Sequence, residues 1–388
     1  MVTAGIGTGT AASAASTRST PDRGPDRRAL QQALDEITKN GAASALAEIR
    51  DPAWVWRGAA GRAELGTSRP VPAHGRFRIG SVTKTFTATV MLQLEAERRL
   101  RLDDPLARWL PGAVPGANEI TLRNLLQHTS GVPEYMERFY ELYPTTADVV
   151  RQRFRRWTPG ELLALVEGRP PLFEPGTSWS YANTNYTLLS LVIKRVTGND
   201  YATEVSRRIL RPLGLRHTEL PGNNPLIPGP HAHAYLPADE TGEPVDVSVF
   251  NPSIAGAAGE IVSTTADINR FLGALLGGRL LPPAQLARMK TTAPGNTDYG
   301  LGLLQLQLPG TKLLWGHTGS IFGYLTLALG TQDGRRRIAM SINPWGDGDF
   351  YDALVHLLSI AFPDPLATRA AAPTPAPTSW QHLYRAGF

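Results

Sequence analysis

The segment that decides the fold is RFRIGSVTKTF (residues 76–86), together with the apolar run that follows it. Apolar side chains recur there at intervals of four residues, at Val82, Phe86, Val90 and Leu94. This period predicts one long helix over residues 82–98, buried in a core. Ser81 stands at its start, where unpaired backbone N–H groups and the helix dipole favour developing negative charge. A serine in this position is a candidate nucleophile.

Lys84 follows Ser81 by one helical turn and is a candidate base. Residues three apart share a helix face, so the amine comes within reach of the serine hydroxyl. Burial disfavours the charged amine and leaves it able to accept a proton, which a guanidinium cannot do. Only five of the 39 basic residues are lysines, yet a lysine stands here. A Ser-x-x-Lys motif alone is weak, since one arises by chance roughly once in three such chains.

Two further motifs follow downstream. Tyr181-Ala-Asn183 comes after the turn-forming Glu174-Pro-Gly-Thr177, and His317-Thr-Gly319 lies near the start of a predicted strand. With SxxK, YxN and HTG in this order, the chain resembles the penicillin-recognising serine enzymes. These are the serine D-Ala-D-Ala carboxypeptidases, the class C β-lactamases and their esterase and D-aminopeptidase relatives. The similarity spans about residues 30–362 and is greatest to the carboxypeptidase branch that carries HTG.

The resemblance implies a role for each motif residue. Ser81 would form an acyl-enzyme, neutral Lys84 would be its general base, and Tyr181 would pass the proton to the leaving group. Four residues would bind or support the substrate: Asn183, His317, Thr318 and Gly319. The backbone N–H groups of Ser81 and Ser320 would form the oxyanion hole. The resemblance implies no metal and no organic cofactor.

The predicted fold class is α/β, of the β-lactamase/transpeptidase type, with an antiparallel sheet flanked by helices and an inserted, mostly helical region. Strand-like runs lie near both ends of the globular part, at 43–50, 53–59, 300–308, 312–316, 321–330 and 335–343. We expect residues 28–98 plus 256–362 to form the α/β domain and residues 99–255 the helical domain. Residues 1–27 are predicted to be disordered, and residues 363–388 an Ala/Pro-rich linker with a short tail.

Composition excludes several classes of function. The chain of 388 residues has no cysteine, so disulfides, thiolate metal sites and cysteine nucleophiles are excluded. Its net charge is +5 with the basic residues dispersed, which argues against nucleic-acid binding. No apolar stretch reaches about 18 residues, so no membrane span is predicted. A GxSxG motif is absent, which argues against an α/β-hydrolase triad. Without a leader pattern the chain as written is expected to be cytoplasmic, or secreted if its start is misassigned or trimmed.

Several histidines have a structural interpretation as well as a functional one. His231 and His233 have the spacing of two metal ligands on a strand, but no third ligand stands near them in sequence. His128 is interpreted as a structural hydrogen-bonding residue. His317 also has an alternative interpretation, as a buried histidine satisfied by its neighbours without a part in catalysis.

One departure from the pattern bears on the substrate. In the carboxypeptidases that the chain resembles, an arginine just after YGLGL pairs with the substrate's free carboxylate. Here Leu304 and Gln305 stand in that place, and Lys312 is the nearest cation in sequence. A flexible lysine is a poor substitute for a planar guanidinium, so substrates with a free carboxylate are disfavoured.

The predicted function is therefore a serine hydrolase or acyltransferase on peptides or amides whose acyl residue has D configuration, with β-lactams as possible covalent inhibitors. Three alternatives stay open. They are a penicillin-binding-protein-type thioesterase that releases and cyclises nonribosomal peptides, a β-lactamase-like esterase, and a penicillin-binding sensor that acylates without turnover.

Overall fold

A six-stranded antiparallel sheet lies at the centre of the computed structural model, which describes residues 24–293, 296, 298–345 and 348–364. The strands are β1 (Ala42–Arg50), β2 (Val55–Gly61), β3 (Phe77–Arg78), β4 (Tyr235–Pro237), β5 (Pro244–Asp246), β6 (Val262–Ser263), β7 (Leu304–Leu306), β8 (Leu314–Ile321), β9 (Tyr324–Thr331) and β10 (Arg337–Pro344). The sheet order is β2-β1-β10-β9-β8-β7, while β3 pairs with β6 and β4 with β5. The first and last parts of the chain therefore share one sheet.

Helices cover this sheet and fill the region between its two halves. They are α1 (Arg27–Lys39), α2 (Thr83–Ala96), α3 (Leu122–Gln127), α4 (Tyr135–Leu142), α5 (Thr146–Gln152), α6 (Pro159–Ala164), α7 (Asn183–Thr197), α8 (Tyr201–Val205), α9 (Arg211–Leu213), α10 (Gly256–Gly259), α11 (Thr265–Leu276), α12 (Pro283–Met289) and α13 (Tyr351–Ala361). The antiparallel sheet with flanking helices confirms the predicted fold class.

The sheet is buried on both faces because successive side chains of a strand point to opposite sides. On β1, Ala45 and Ala47 belong to the apolar cluster that includes α1 and α13, whereas Leu46 belongs to the cluster around α2 and α11. In the second cluster the rings of Phe86 and Phe271 stack with centroids 3.6 Å apart. This second cluster continues without a break into the helical region. The division into two domains therefore stays a prediction.

Helix α2 is more deeply buried than its apolar stripe indicates. From Thr83 to Leu92 every residue is buried, including four threonines. The neighbouring backbone satisfies them, for example where Thr85 donates to the Gly302 carbonyl at 2.8 Å and Thr87 to that of Ala257 at 2.9 Å. A buried polar side chain is tolerated where it finds such partners.

Two predicted strands differ from those observed. In the run 300–308 only Leu304–Leu306 pairs, because Gly302 turns the chain with a φ of +65°. The run 312–316 extends instead to Ile321, so the HTG motif lies inside β8 rather than near its start. The predicted disordered and linker segments fall mainly on residues 1–23 and 365–388, outside the described residues. Within the described part of the chain, no helix is both long and apolar enough to cross a membrane.

Candidate active site

Ser81 lies in a 3₁₀ turn, Gly80–Val82, that leads directly into α2. The turn packs so closely against β8 that a Cβ atom on Gly80 would lie 2.7 Å from the Ser320 carbonyl oxygen. Gly80 also has a φ of +50°, a conformation that glycine adopts at little cost. The sequence Gly-Ser at this point therefore lets the candidate nucleophile lie against the strand that carries the third motif.

Lys84 is fully buried, and its amine lies among three oxygen atoms. The Nζ atom is 2.9 Å from Ser81 Oγ, 2.6 Å from Asn183 Oδ1 and 2.9 Å from the Ala258 carbonyl oxygen. Burial holds the pKa of the amine well below its usual value, and the Glu134 carboxyl opposes this effect. A neutral amine can donate to Asn183 and Ala258 and keep its lone pair for the Ser81 proton. The arrangement can thus deprotonate a serine.

Glu134 is a site residue that the sequence reasoning missed. Its carboxylate accepts hydrogen bonds from both the backbone and the side-chain amide of Asn183, the latter at 3.1 Å. The amide nitrogen is thereby turned to Glu134 and the amide oxygen to Lys84. Burial raises the pKa of Glu134, and these hydrogen bonds oppose the rise. In the local sequence Glu134 could be recognised only as a helix N-cap, a role in which its carboxylate accepts from the Met136 N–H at 2.9 Å.

Tyr181 lies beside the serine and the lysine. Its ring centroid is 4.8 Å from Lys84 Nζ, and its ring stacks on His128 at 4.2 Å. Burial raises the pKa of its hydroxyl well above the usual value, while the neighbouring Ser81 hydroxyl acts in the opposite direction. Within the described residues this buried hydroxyl makes no well-aligned hydrogen bond. A neutral hydroxyl beside the nucleophile can pass a proton onward.

The third motif lies on β8 next to the Ser81 turn. A Cβ atom on Gly319 would lie 2.0 Å from the Ile79 carbonyl oxygen and 3.0 Å from Ser81 N. The backbones of Ser81 and Ser320, which were predicted to supply the oxyanion hole, therefore lie close together. Thr318 Oγ1 is buried and has no hydrogen-bond partner in the described part of the chain. Beyond Gly316 the edge of β8 is no longer paired with β7.

His317 is buried on β8 between two hydrogen-bonding partners. Its Nε2 atom lies 2.9 Å from the Tyr299 hydroxyl, and its Nδ1 atom contacts the Thr318 carbonyl oxygen. Burial lowers the pKa of the ring to about 3. A ring with so low a pKa offers no positive charge to a substrate at neutral pH.

Several candidates lie apart from this cluster. Lys312 is exposed in the turn before β8, five residues and about 16 Å along the chain from His317, so it cannot replace the missing arginine. Leu304 is buried in β7. His231 bonds the Gly229 carbonyl through Nδ1 at 2.8 Å, and His233 bonds Asp246 at 2.6 Å. No group of three or more potential metal ligands occurs among the described residues.

Comparison with known proteins places this geometry in a family. A family model described as Beta-lactamase matches residues 27–358. The chain belongs to the beta-lactamase family. Penicillin-binding protein 4* of Bacillus subtilis (strain 168) is 29% identical over 311 residues, 76% of this chain and 66% of that protein. The resemblance to penicillin-recognising enzymes is therefore confirmed.

The chain is also similar to solved structures of two amide hydrolases. The D-stereospecific amidohydrolase from Streptomyces sp. is 41% identical, with a TM-score of 0.78 over 85% of this chain and 98% of that one. The D-amino acid amidase from Ochrobactrum anthropi SV3 is 28% identical, with a TM-score of 0.75 over 86% of this chain and 97% of that one. The chain spans about half to two thirds of the length of the first curated relatives that it matches.

Proposed function

We propose that the chain is a serine hydrolase that forms an acyl-enzyme on Ser81 with peptide or amide substrates whose acyl residue has D configuration. The observation that carries the proposal is the 2.9 Å contact between Lys84 Nζ and Ser81 Oγ, made by a fully buried amine. The likeness to the D-stereospecific amidohydrolase supports the choice of substrate, because it extends over nearly all of that chain.

The acylation step uses groups already in contact. Ser81 Oγ transfers its proton to Lys84 Nζ and attacks the substrate carbonyl carbon, whose oxygen gains negative charge. The N–H groups of Ser81 and Ser320 would stabilise that charge. When the carbon–nitrogen bond breaks, Tyr181 gives a proton to the leaving nitrogen and is reprotonated from Lys84. Water, activated in the same way, then releases the acid and restores the serine.

The surroundings of the site favour an uncharged leaving group. Substrate carboxylates in proteins are best held by a planar guanidinium. Here Leu304 is apolar, His317 is neutral and Lys312 is remote. An amide is therefore the expected substrate, in preference to a peptide with a free C-terminal carboxylate.

A substrate panel tests the proposal. It compares a D-amino acid amide, its L enantiomer, a D-Ala-D-Ala peptide, a short-chain nitrophenyl ester and a peptidyl thioester, with Ser81→Ala as the blank. We expect the D-amide to have the highest kcat/KM. Fastest turnover of the carboxypeptide would contradict the argument from Leu304, and equal rates for the enantiomers would contradict D selectivity. Preference for the thioester or the ester would favour those alternatives.

Acylation without turnover has a separate test. Intact mass is followed over time after addition of a β-lactam. An adduct that forms and disappears indicates an enzyme, whereas a permanent adduct together with no turnover in the panel would favour a penicillin-binding sensor.

A further inference from the structure

Three buried rings connect the segment that carries Tyr181 and Asn183 with the strand that carries His317. His128 Nε2 lies 3.3 Å from the Tyr299 hydroxyl oxygen, and the same oxygen lies 2.9 Å from His317 Nε2. All three side chains are buried, with relative exposures of 5% or less. The partners at the two ends of this series of hydrogen bonds determine which group donates at each step.

At the first end, His128 Nδ1 faces two donors. The Ala182 N–H lies 3.1 Å away and Asn185 Nδ2 3.2 Å away. The Asn185 amide is oriented by Ser130, whose hydroxyl donates to its Oδ1 at 2.7 Å. A ring nitrogen that faces two donors must carry a lone pair, so the proton of the neutral ring is on Nε2. His128 therefore donates to Tyr299.

At the second end, His317 Nδ1 faces the carbonyl oxygen of Thr318, which only accepts. The proton of this ring is therefore on Nδ1, and Nε2 accepts from Tyr299. The Tyr186 hydroxyl also interacts with the Tyr299 hydroxyl, but its own proton is donated to the Leu126 carbonyl at 3.2 Å. Tyr299 thus has one ring that donates to it and another that accepts its proton.

We propose that His128, Tyr299 and His317 form a directional chain of neutral groups that positions Ala182, and with it Tyr181 and Asn183, against β8. His128 and Tyr299 are then positioning residues, and His317 connects the chain to the strand rather than contacting a substrate carboxylate. The kinetic part of this inference rests on the proposed function, whereas the assignment of the protons does not.

Further contacts of His128 support a positioning role. Its carbonyl oxygen accepts from the Ser180 N–H at 3.0 Å, and its ring stacks on the Tyr181 ring. The residue itself has a left-handed backbone, with a φ of +63°, at the end of α3. Backbone bonds on either side of Tyr181 and a stacked ring below it leave its hydroxyl little freedom to turn from Ser81.

Nitrogen NMR of ¹⁵N-histidine-labelled protein tests the proton assignment directly. Long-range proton–nitrogen spectra distinguish protonated from unprotonated ring nitrogens, and His128→Gln and His317→Gln identify the two rings. We expect His128 as the Nε2–H form and His317 as the Nδ1–H form at pH 7. If either ring is in the opposite form, or is charged at pH 7, the proposed direction of the hydrogen bonds is wrong, whether or not the protein is active.

Tyr299→Phe tests the positioning role, because it removes only the hydroxyl. We expect the His317 Nε2 resonance to shift because it loses its hydrogen-bond donor, while Nδ1 keeps its proton for the Thr318 carbonyl. We expect kcat for the D-amide to fall about tenfold with KM little changed, as for the loss of one buried hydrogen bond. Tyr324→Phe is the matched control, since it removes a buried hydroxyl that donates to the Ala232 carbonyl at 2.9 Å. Equal kcat values for the two variants would contradict the positioning role. A wild type inactive on every substrate contradicts the proposed function instead and leaves the NMR result intact.

Discussion

In the proposed mechanism, Lys84 is the residue on which the acid–base chemistry depends. The helix places its amine one turn from Ser81, and the buried surroundings lower its pKa. Asn183 Oδ1 and the Ala258 carbonyl oxygen accept hydrogen bonds from its two N–H groups, which leaves the lone pair for the serine proton. Neither the low pKa nor the direction of the lone pair arises from Lys84 alone, since both depend on residues far away in sequence.

Substitution of either partner is expected to abolish acylation. Ser81→Ala removes the nucleophile and Lys84→Ala the base, so each should reduce the rate by at least about 10³-fold. Intact mass after addition of a fluorophosphonate measures acylation directly. Acylation of the lysine variant at neutral pH would show that another group takes the serine proton.

Glu134→Gln is expected to change the pH dependence of catalysis. The carboxyl raises the pKa of Lys84, so its removal lowers that pKa further. The base must be neutral to act, and the acid limb of the kcat/KM profile should therefore move to lower pH. The rate at the optimum should fall about tenfold, because one acceptor for Asn183 is lost. Glu137→Gln, exposed on the helix that Glu134 caps, is the control. An unmoved acid limb would mean that Glu134 acts only by orienting Asn183.

At the scale of elements, the contact between the Ser81 turn and β8 creates the site. Glycines on both sides permit it, Gly80 on the turn and Gly319 on the strand. The nucleophile and the third motif, more than 200 residues apart in sequence, are thus held together by two backbones with no side chains between them.

Gly319→Ala is expected to separate these two elements. The added methyl group would lie 2.0 Å from the Ile79 carbonyl oxygen, so β8 or the turn must move. We expect a loss of about 2–3 kcal/mol in the free energy of unfolding, with acylation largely abolished. Gly160→Ala, in α6 and with no atom within 4 Å of its added carbon, is the control. Urea unfolding and mass spectrometry measure the two effects. Unchanged acylation would show that the contact is not required.

At the scale of the molecule, buried titratable groups couple stability to pH. Glu260 is 3% exposed and directly follows α10, in which the Ala258 carbonyl oxygen accepts a hydrogen bond from Lys84 Nζ. Burial raises its pKa to about 8, with a backbone N–H of Gly222 and the charge of Arg78 in opposition. Tyr201 donates a hydrogen bond to it. The folded protein therefore keeps this proton at pH values where the unfolded chain has lost it.

The contribution of Glu260 to stability should fall as pH rises. It is complete below the unfolded pKa of 4.5 and is lost as pH rises through about 8. Relative to Glu260→Gln, whose side chain stays neutral, the wild type should lose up to about 1.4 kcal/mol per pH unit between about pH 5 and 8. Urea unfolding at several pH values measures the difference, in which the contributions of Lys84 and the buried histidines cancel. Parallel curves would contradict the prediction.

The sequence predicted much of the fold and the motif residues because these depend on local patterns. The period-four stripe predicted α2, and strand-like runs located β1, β2, β9 and β10 to within a few residues. The strand at 300–308 was predicted too long because a single glycine, Gly302, turns the chain there. Glu134 was missed because its contact with Asn183 joins segments 49 residues apart.

The sequence by itself determined the residue types, their order and the helix that puts Lys84 one turn from Ser81, because helix geometry is local. Tertiary structure alone decided which charges the site contains. The pKa of Lys84 and the neutrality of His317 follow from burial and from partners brought in from distant segments. Desolvation is a property of the packed interior, and no local pattern specifies it.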